Sequence, residues 1–159
     1  MPVLPTMKPS ENPAPIWSDS LLLGHAAIDG EHERLAELIE RMRRAAAPEM
    51  AQALDAVLQH AASHFAAENE LMRATAFPPR DCHISEHEAV LSTLRGVRAR
   101  LECGEFEVAR RVADELVAWF PPHVQHLDSA LTHWLCKLQH GAKPVVLRVG
   151  RKSEAALAC

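Results

Sequence analysis

The sequence has no tyrosine, only four phenylalanines, and no apolar run approaching the roughly 18 residues that a transmembrane helix needs. We therefore expect no membrane insertion. No CxxC pair occurs among its cysteines, and its first residues lack the basic start and apolar run of a signal peptide. Reduced thiols and a cytoplasmic location are the expectation for the four cysteines, which are Cys82, Cys103, Cys136 and Cys159.

A net charge of −4 gives no general reason to expect a nucleic-acid partner. The 159 residues suit one domain, and 48% hydrophobic with 24% charged residues is ordinary for a soluble globular protein. Five of the eleven prolines fall within residues 1–16, which predicts an extended N-terminal arm before a domain at 17–140. Residues 141–159 form a basic tail, and the sequence does not identify a protein partner for either end.

Between these ends, apolar residues recur at steps of three and four, the pattern of amphipathic α-helices. The predicted helices cover residues 28–44, 48–74, 81–103 and 105–140. Since the connections are short, the predicted fold is all-α, an antiparallel up-down-up-down four-helix bundle with a Pro-rich N-terminal arm. Pro121 and Pro122 lie inside the fourth helix and predict a kink or a split there, because each removes a backbone donor.

Ten histidines are the unusual part of the composition, and five of them fall on the predicted inner faces. His64 and Glu68 are four residues apart, as are His83 and His87, and residues at this spacing share one helix face. Burying five imidazoles and two carboxylates without an ion would cost roughly several kcal/mol for each charged group, which predicts a metal site. The seven candidate ligands are His32, His64, Glu68, His83, His87, His123 and Asp128.

The donor types narrow the choice of metal. Because the candidates include no thiolate, an iron–sulfur centre or a cysteine-based zinc site is disfavoured. Seven ligands are too many for one tetrahedral zinc ion, but they suit two six-coordinate ions bridged by both carboxylates, with one small solvent bridge and one open position. Imidazole and carboxylate ligands inside a helical bundle are typical of non-haem iron.

These residues also carry a resemblance to a known family. Over roughly residues 17–140 the sequence resembles the hemerythrin family in its bacterial single-domain form. The matching motifs are Trp17, Gly24, IDGEH at 28–32, HFAAENELM at 64–72, HISEH at 83–87, and Trp119 followed by HVQHLD at 123–128. The resemblance implies two non-haem iron ions, Fe2+ or Fe3+, with an oxo or hydroxo bridge, that bind O2 reversibly.

The resemblance further implies a role for each candidate ligand. Glu68 and Asp128 bridge the two irons. The iron with fewer imidazoles keeps an open position, and O2 binds there. By the family pattern one iron takes His83, His87 and His123, and the other takes His32 and His64.

The predicted function is that of an O2-binding protein (a carrier, store or scavenger) and not of an enzyme. The alternatives are a di-iron oxidase or peroxidase with the same ligands, and an O2, redox or iron sensor whose arm or tail contacts a partner. His126 is an alternative ligand, and His60 could support the site from outside the ligand set. Reversible binding also needs a dry pocket, whose candidate wall is Leu35, Ile39, Phe65, Leu94, Val97 and Trp119.

Overall fold

The computed structural model describes residues 14–141 and 143–147, so most of the predicted arm and tail lies outside the described residues. The elements are a short 3-10 turn (Asp19–Leu21), α1 (Ala26–Arg44), α2 (Ala47–Ala74), α3 (Arg80–Glu102), α4 (Phe106–His123), a π-helical turn (Val124–Asp128) and α5 (Ser129–His140). Every predicted helix bound lies within two residues of the observed one, and the described residues contain no strand. The all-α prediction is confirmed.

The helices form a four-membered bundle in which α4, the π turn and α5 together make the fourth member. α1 packs against α2 and α4, and α3 packs against the same two helices. Two residues join α1 to α2, five join α2 to α3 and three join α3 to α4, so chain neighbours run antiparallel. None of the described helices is long and apolar enough to cross a bilayer.

Local signals explain where α1 and α5 begin and end. Asp29 lies in the first turn of α1, and its carboxylate accepts the backbone N–H groups of Leu23 and Gly24 at 2.8 and 3.0 Å. This ties the preceding segment to the helix start, where an acidic side chain also favours the helix dipole. α5 ends at Gly141, which adopts the left-handed conformation at φ 66°, and its N–H donates to the carbonyl of Lys137.

The break predicted at Pro121 and Pro122 is wrong in its position. α4 continues through both prolines to His123, because the fixed proline φ matches that of a helix even where the N–H is lost. The backbone instead widens just after them, where the N–H of Ser129 donates to the carbonyl of Val124, five residues back. A π turn of this kind accommodates one extra residue, so the helical register changes after the prolines and not at them.

Two apolar clusters fill the bundle, one toward each end. The larger runs from the α1–α2 connection to the middle and contains Leu54 and Leu116, while the smaller includes Phe77 and Leu135. The candidate ligands lie near the boundary between the two clusters. In α1, for example, Ile28 belongs to the smaller cluster and Leu35 to the larger, with His32 between them. The fold thus holds one polar layer inside an apolar core.

Candidate metal centre

The polar layer brings together all seven candidate ligands, each only 0–4% exposed. Their ligating atoms form two groups, and within each group all atoms lie within 4.8 Å of one another. Glu68 belongs to both groups. The larger group is Glu68, His83, His87, His123 and Asp128, and the smaller is His32, His64 and Glu68.

Asp128 also faces both groups. Its Oδ1 lies 2.9 Å from His83 Nε2 and 3.2 Å from His123 Nε2, while its Oδ2 lies 3.0 Å from His32 Nε2. The π turn makes this possible, because an ideal α-helix would leave residues 123 and 128 about 140° apart. Burial by itself would raise the pKa of Asp128, but the three close imidazoles hold that pKa well below its usual range. Asp128 is therefore an anion that reaches imidazoles of three helices.

Glu68 lies between the two groups with one oxygen toward each. Its Oε1 is 3.6 Å from His64 Nε2 and 3.8 Å from His32 Nε2, and its Oε2 is 3.4 Å from His87 Nε2. Burial, followed by the negative charge of Asp128, raises the pKa of Glu68 well above its usual value. Two carboxylates this close call for positive charge between them if both are to ionise.

Many nitrogen and oxygen atoms of this layer have no hydrogen-bond partner, as is expected of atoms that bind metal cations. Among the described residues, both ring nitrogens of His32 and His83 and both carboxylate oxygens of Glu68 and Asp128 have no partner in hydrogen-bonding geometry. Several of these atoms lie within 3.0 Å of one another without meeting hydrogen-bond geometry, and within each donor group all ligating atoms lie within 4.8 Å. Buried polar atoms normally have partners, so this convergence is what a dimetal donor set requires.

Burial keeps the imidazoles in the form that can bind a metal. It lowers the pKa of His64 to about 3, with a smaller contribution from His32, and lowers that of His87 to about 2, with a smaller contribution from His83. A neutral imidazole retains the lone pair that a metal needs. The Nε2 atoms of His87 and His123 lie only 3.2 Å apart, so the two rings present these nitrogens to the same place in the layer.

Two side chains that the sequence pattern did not identify contact the second ring nitrogen of a candidate ligand. Asn69 Oδ1 lies 2.9 Å from the Nδ1 of His87, and Glu86 Oε1 lies 2.8 Å from the Nδ1 of His123. Metal-binding histidines commonly donate their second ring N–H to such groups. The HISEH motif contains Glu86, but its partner His123 is on another helix, so spacing along the chain carries no signal for the contact.

Aromatic rings enclose much of the layer. Phe65 stacks on His87 with 3.9 Å between ring centroids and 2° between planes, and Trp119 lies 4.5 Å from His123. These two predicted wall residues therefore touch the site. Phe120, which was not predicted, packs edge-on against His32 at 5.8 Å. The other predicted wall residues, Leu35, Ile39, Leu94 and Val97, are buried in the larger apolar cluster.

The other histidines considered as ligands lie outside the layer. His126 is exposed, because the π turn directs it away from the core. His60 stacks on His64 at 6.3 Å, and its Nε2 lies 3.1 Å from the carbonyl oxygen of Glu31. His25 caps α1, where its Nδ1 accepts the backbone N–H of residue 28. The polar contacts of His60 are thus with Glu31, and it makes no hydrogen bond to His64 among the described residues.

A four-helix bundle with two adjoining, imidazole-rich cation sites in its core defines a helical-bundle dimetal protein. The chain belongs to the hemerythrin family: residues 23–135 match the model of the hemerythrin HHE cation binding domain. It is 40% identical over 121 residues to bacteriohemerythrin of Ralstonia nicotianae, covering 76% of this chain and 88% of that protein. It is 30% identical over 122 residues to bacteriohemerythrin of Stenotrophomonas maltophilia, covering 72% of this chain and 77% of that protein. Myohemerythrin of Sipunculus nudus is 23% identical over 113 residues, covering 71% of this chain and 87% of that protein. The family binds a pair of iron ions and O2, and the buried His, Glu and Asp cluster of this chain suits that centre.

Proposed function

We propose that this protein binds O2 reversibly at a di-iron centre and serves as an oxygen carrier, store or scavenger. The seven candidate ligands divide between two ions, with Glu68 and Asp128 shared. We assign His83, His87 and His123 to one ion and His32 and His64 to the other.

The observation that carries the proposal is the asymmetry of the two donor groups. If both carboxylates were shared, one ion would have five protein ligands and the other four. A solvent-derived bridge would bring them to six and five, and only the ion near His32 and His64 would keep an open position. Two ferrous ions held in this way would supply the electrons for reversible O2 binding. The one open coordination position would be the place where O2 binds.

The protein's own residues favour binding over further chemistry. Neutral His64 and His87 supply nitrogen donors, and the ligand set contains more imidazoles than carboxylates, unlike the carboxylate-rich ferritin type of site. The rings of Phe65 and Phe120 shield the imidazoles of His87 and His32 from water. A dry surrounding of this kind limits oxidation of the bound metal by solvent.

The compartment and partners form part of the same proposal. Cys82, Cys103 and Cys136 are free thiols, which is in keeping with action in the reducing cytoplasm. We propose O2 as the ligand, and neither nucleic acid nor a membrane as a partner.

The test is anaerobic reduction of the iron-loaded protein followed by exposure to air, monitored by visible absorption. We expect two irons per chain and an oxygenated spectrum that disappears under argon and returns in air. Rapid conversion to the oxidised form with release of peroxide would instead identify an oxidase. One zinc per chain without iron would refute the di-iron proposal altogether.

A further inference from the structure

Glu86 makes a contact that the ligand set alone does not explain. It lies on α3, and its Oε1 accepts hydrogen bonds from two groups of α4, Trp119 Nε1 and His123 Nδ1, each at 2.8 Å. Two donors from another helix fix this carboxylate oxygen in place. With the Nδ1 edge of His123 engaged by Glu86, Nε2 is the ring nitrogen left to face a metal, and it lies 3.2 Å from Asp128 Oδ1, within the larger donor group.

The ring of His123 is held from two directions. Glu86 fixes the Nδ1 edge of the ring, and the indole of Trp119 lies against it at 4.5 Å with 34° between the planes. The ring can therefore neither flip nor exchange its two nitrogens without breaking the hydrogen bond to Glu86.

No other candidate imidazole has such a partner within the described residues. The Nδ1 of His87 has a neutral amide oxygen, that of Asn69, and the Nδ1 atoms of His32 and His83 have no partner there. The carboxylate contact of His64 is through its Nε2, to Glu68 within the donor groups. Among the described residues, only His123 has a carboxylate in hydrogen-bond contact with its Nδ1. The two donor groups thus differ in a second respect besides the number of their imidazoles.

We propose that Glu86 is a positioning residue that acts through His123 to make this imidazole the strongest nitrogen donor of the centre, an inference that rests on the proposed di-iron function. A carboxylate that accepts the N–H of a metal-bound imidazole increases the basicity of the other ring nitrogen. A more basic donor stabilises Fe3+ more than Fe2+, since the ferric ion has the higher charge. Glu86 therefore lowers the reduction potential of the three-imidazole iron.

The side chain of Glu86 is partly exposed to solvent, whereas the candidate ligands are buried. Its side chain is 36% exposed, whereas Asp128 is 0% exposed. It lines two surface cavities, of about 440 and 240 Å3, on either side of its contact with α4. A glutamine at this position can keep the hydrogen bond through its amide oxygen and leave its amino group to solvent. The substitution Glu86→Gln thus removes the charge without burying an unpaired polar group.

The experiment measures the reduction potential of the iron-loaded wild type, Glu86→Gln and Glu88→Gln by spectroelectrochemistry. Glu88 is exposed, lies two residues along α3, and provides the same change of charge as a matched control. For Glu86→Gln we expect ferric affinity to fall about tenfold more than ferrous affinity, which raises the potential by about 59 mV for a one-electron couple. Glu88→Gln should match the wild type.

A second variant, Glu86→Ala, tests the orienting contact itself. It should lower iron affinity 10–100-fold, the usual effect of losing a partner of a metal-bound histidine. In nitrogen-15 NMR spectra of the iron-free protein, the Nδ1–H form of His123 should dominate in the wild type and in Glu86→Gln but not in Glu86→Ala.

The outcomes separate this inference from the function on which it rests. If Glu86→Gln and Glu88→Gln have the potential of the wild type, Glu86 has no electronic role and the inference is overturned while the di-iron function stands. An equal shift in both variants also overturns it, because the effect is then only the general charge of α3. If the wild type takes up no iron, the proposed function fails and this inference fails with it.

Discussion

The carboxylate of Glu68 offers the sharpest perturbation of the centre, because both donor groups share it. Glu68→Ala reduces the larger group from five side chains to four and the smaller from three to two, so we expect both irons to be lost or greatly depleted. His64→Ala affects the smaller group alone and should leave about one iron per chain. Glu70→Ala, at an exposed position two residues further along α2, is the matched control and should retain two irons.

Replacing Glu68 by leucine should raise the melting temperature of the iron-free protein and lower that of the iron-loaded protein. Glu68 is 1% exposed and neither carboxylate oxygen has a hydrogen-bond partner among the described residues, so without iron its carboxyl group would be buried and unsatisfied. An unsatisfied buried polar group costs about 1–3 kcal/mol. Glu68→Leu removes that cost, so its iron-free form should melt about 2–12 °C above the iron-free wild type, at about 2–4 °C for each kcal/mol.

In the iron-loaded protein the order reverses. Iron that binds only the folded state stabilises it, and Glu68→Leu loses that contribution along with the ligand. The assay is metal analysis by mass spectrometry, with calorimetric melting of each variant before and after chelation. Equal iron contents in Glu68→Ala and Glu70→Ala would show that the HxxxE interpretation is wrong. A lower melting temperature of iron-free Glu68→Leu would refute the argument from the unpaired carboxylate.

Three further predictions concern the surroundings of the centre. Phe65→Leu should cost less than about 1.5 kcal/mol of stability yet hasten oxidation in air, because the ring stacks on His87. Phe77→Leu, equally buried in the smaller cluster, should melt lower by a similar amount with an unchanged oxidation rate; equal oxidation rates would contradict the shielding role. The pKa values of His64 and His87 lie at about 3 and about 2, below the 6.5 of the unfolded chain. These two groups make the unfolded state bind more protons below pH 6.5, while the raised pKa of Glu68 gives the folded state one proton in return. The free energy of unfolding of the iron-free protein should therefore fall as the pH is lowered, by less than the about 2.7 kcal/mol per unit that the two histidines alone would give. Urea unfolding that is unchanged between pH 7 and 5 would contradict this. Asp29→Ala removes the acceptor of two backbone N–H groups and should cost about 1–3 kcal/mol, measured by thermal melting.

The sequence by itself determined the helices and which side chains face inward. Apolar residues at steps of three and four define an inner stripe whatever the partner helix, and the pairs at His64 and His83 lie on that stripe. The composition of the donor set, imidazole-rich and without thiolate, also follows from the residues alone. For this reason the fold class and the metal site were predictable from one chain, whereas the family was identified by the resemblance of its motifs.

The register of Asp128 was decided only by the tertiary structure. On an ideal helix it would lie about 140° from His123, and nothing in HVQHLD announces the π turn that brings the two together. The missing N–H groups of Pro121 and Pro122 predicted a break at the prolines, but the backbone widens into the π turn just after them. The sequence thus indicates that the helix is perturbed, whereas its packing against the other helices sets the position of the irregular turn.

The contacts of Glu86, Asn69 and Phe120 were likewise decided by the packing of helices. Each meets a histidine on a different helix, so no spacing along the chain relates the two partners. Sequence periodicity describes one helix at a time, and it therefore identifies the residues that face the centre. Which of them touch, and which oxygen or ring supports which imidazole, depends on the relative rotation and height of two helices, and only the folded bundle sets these.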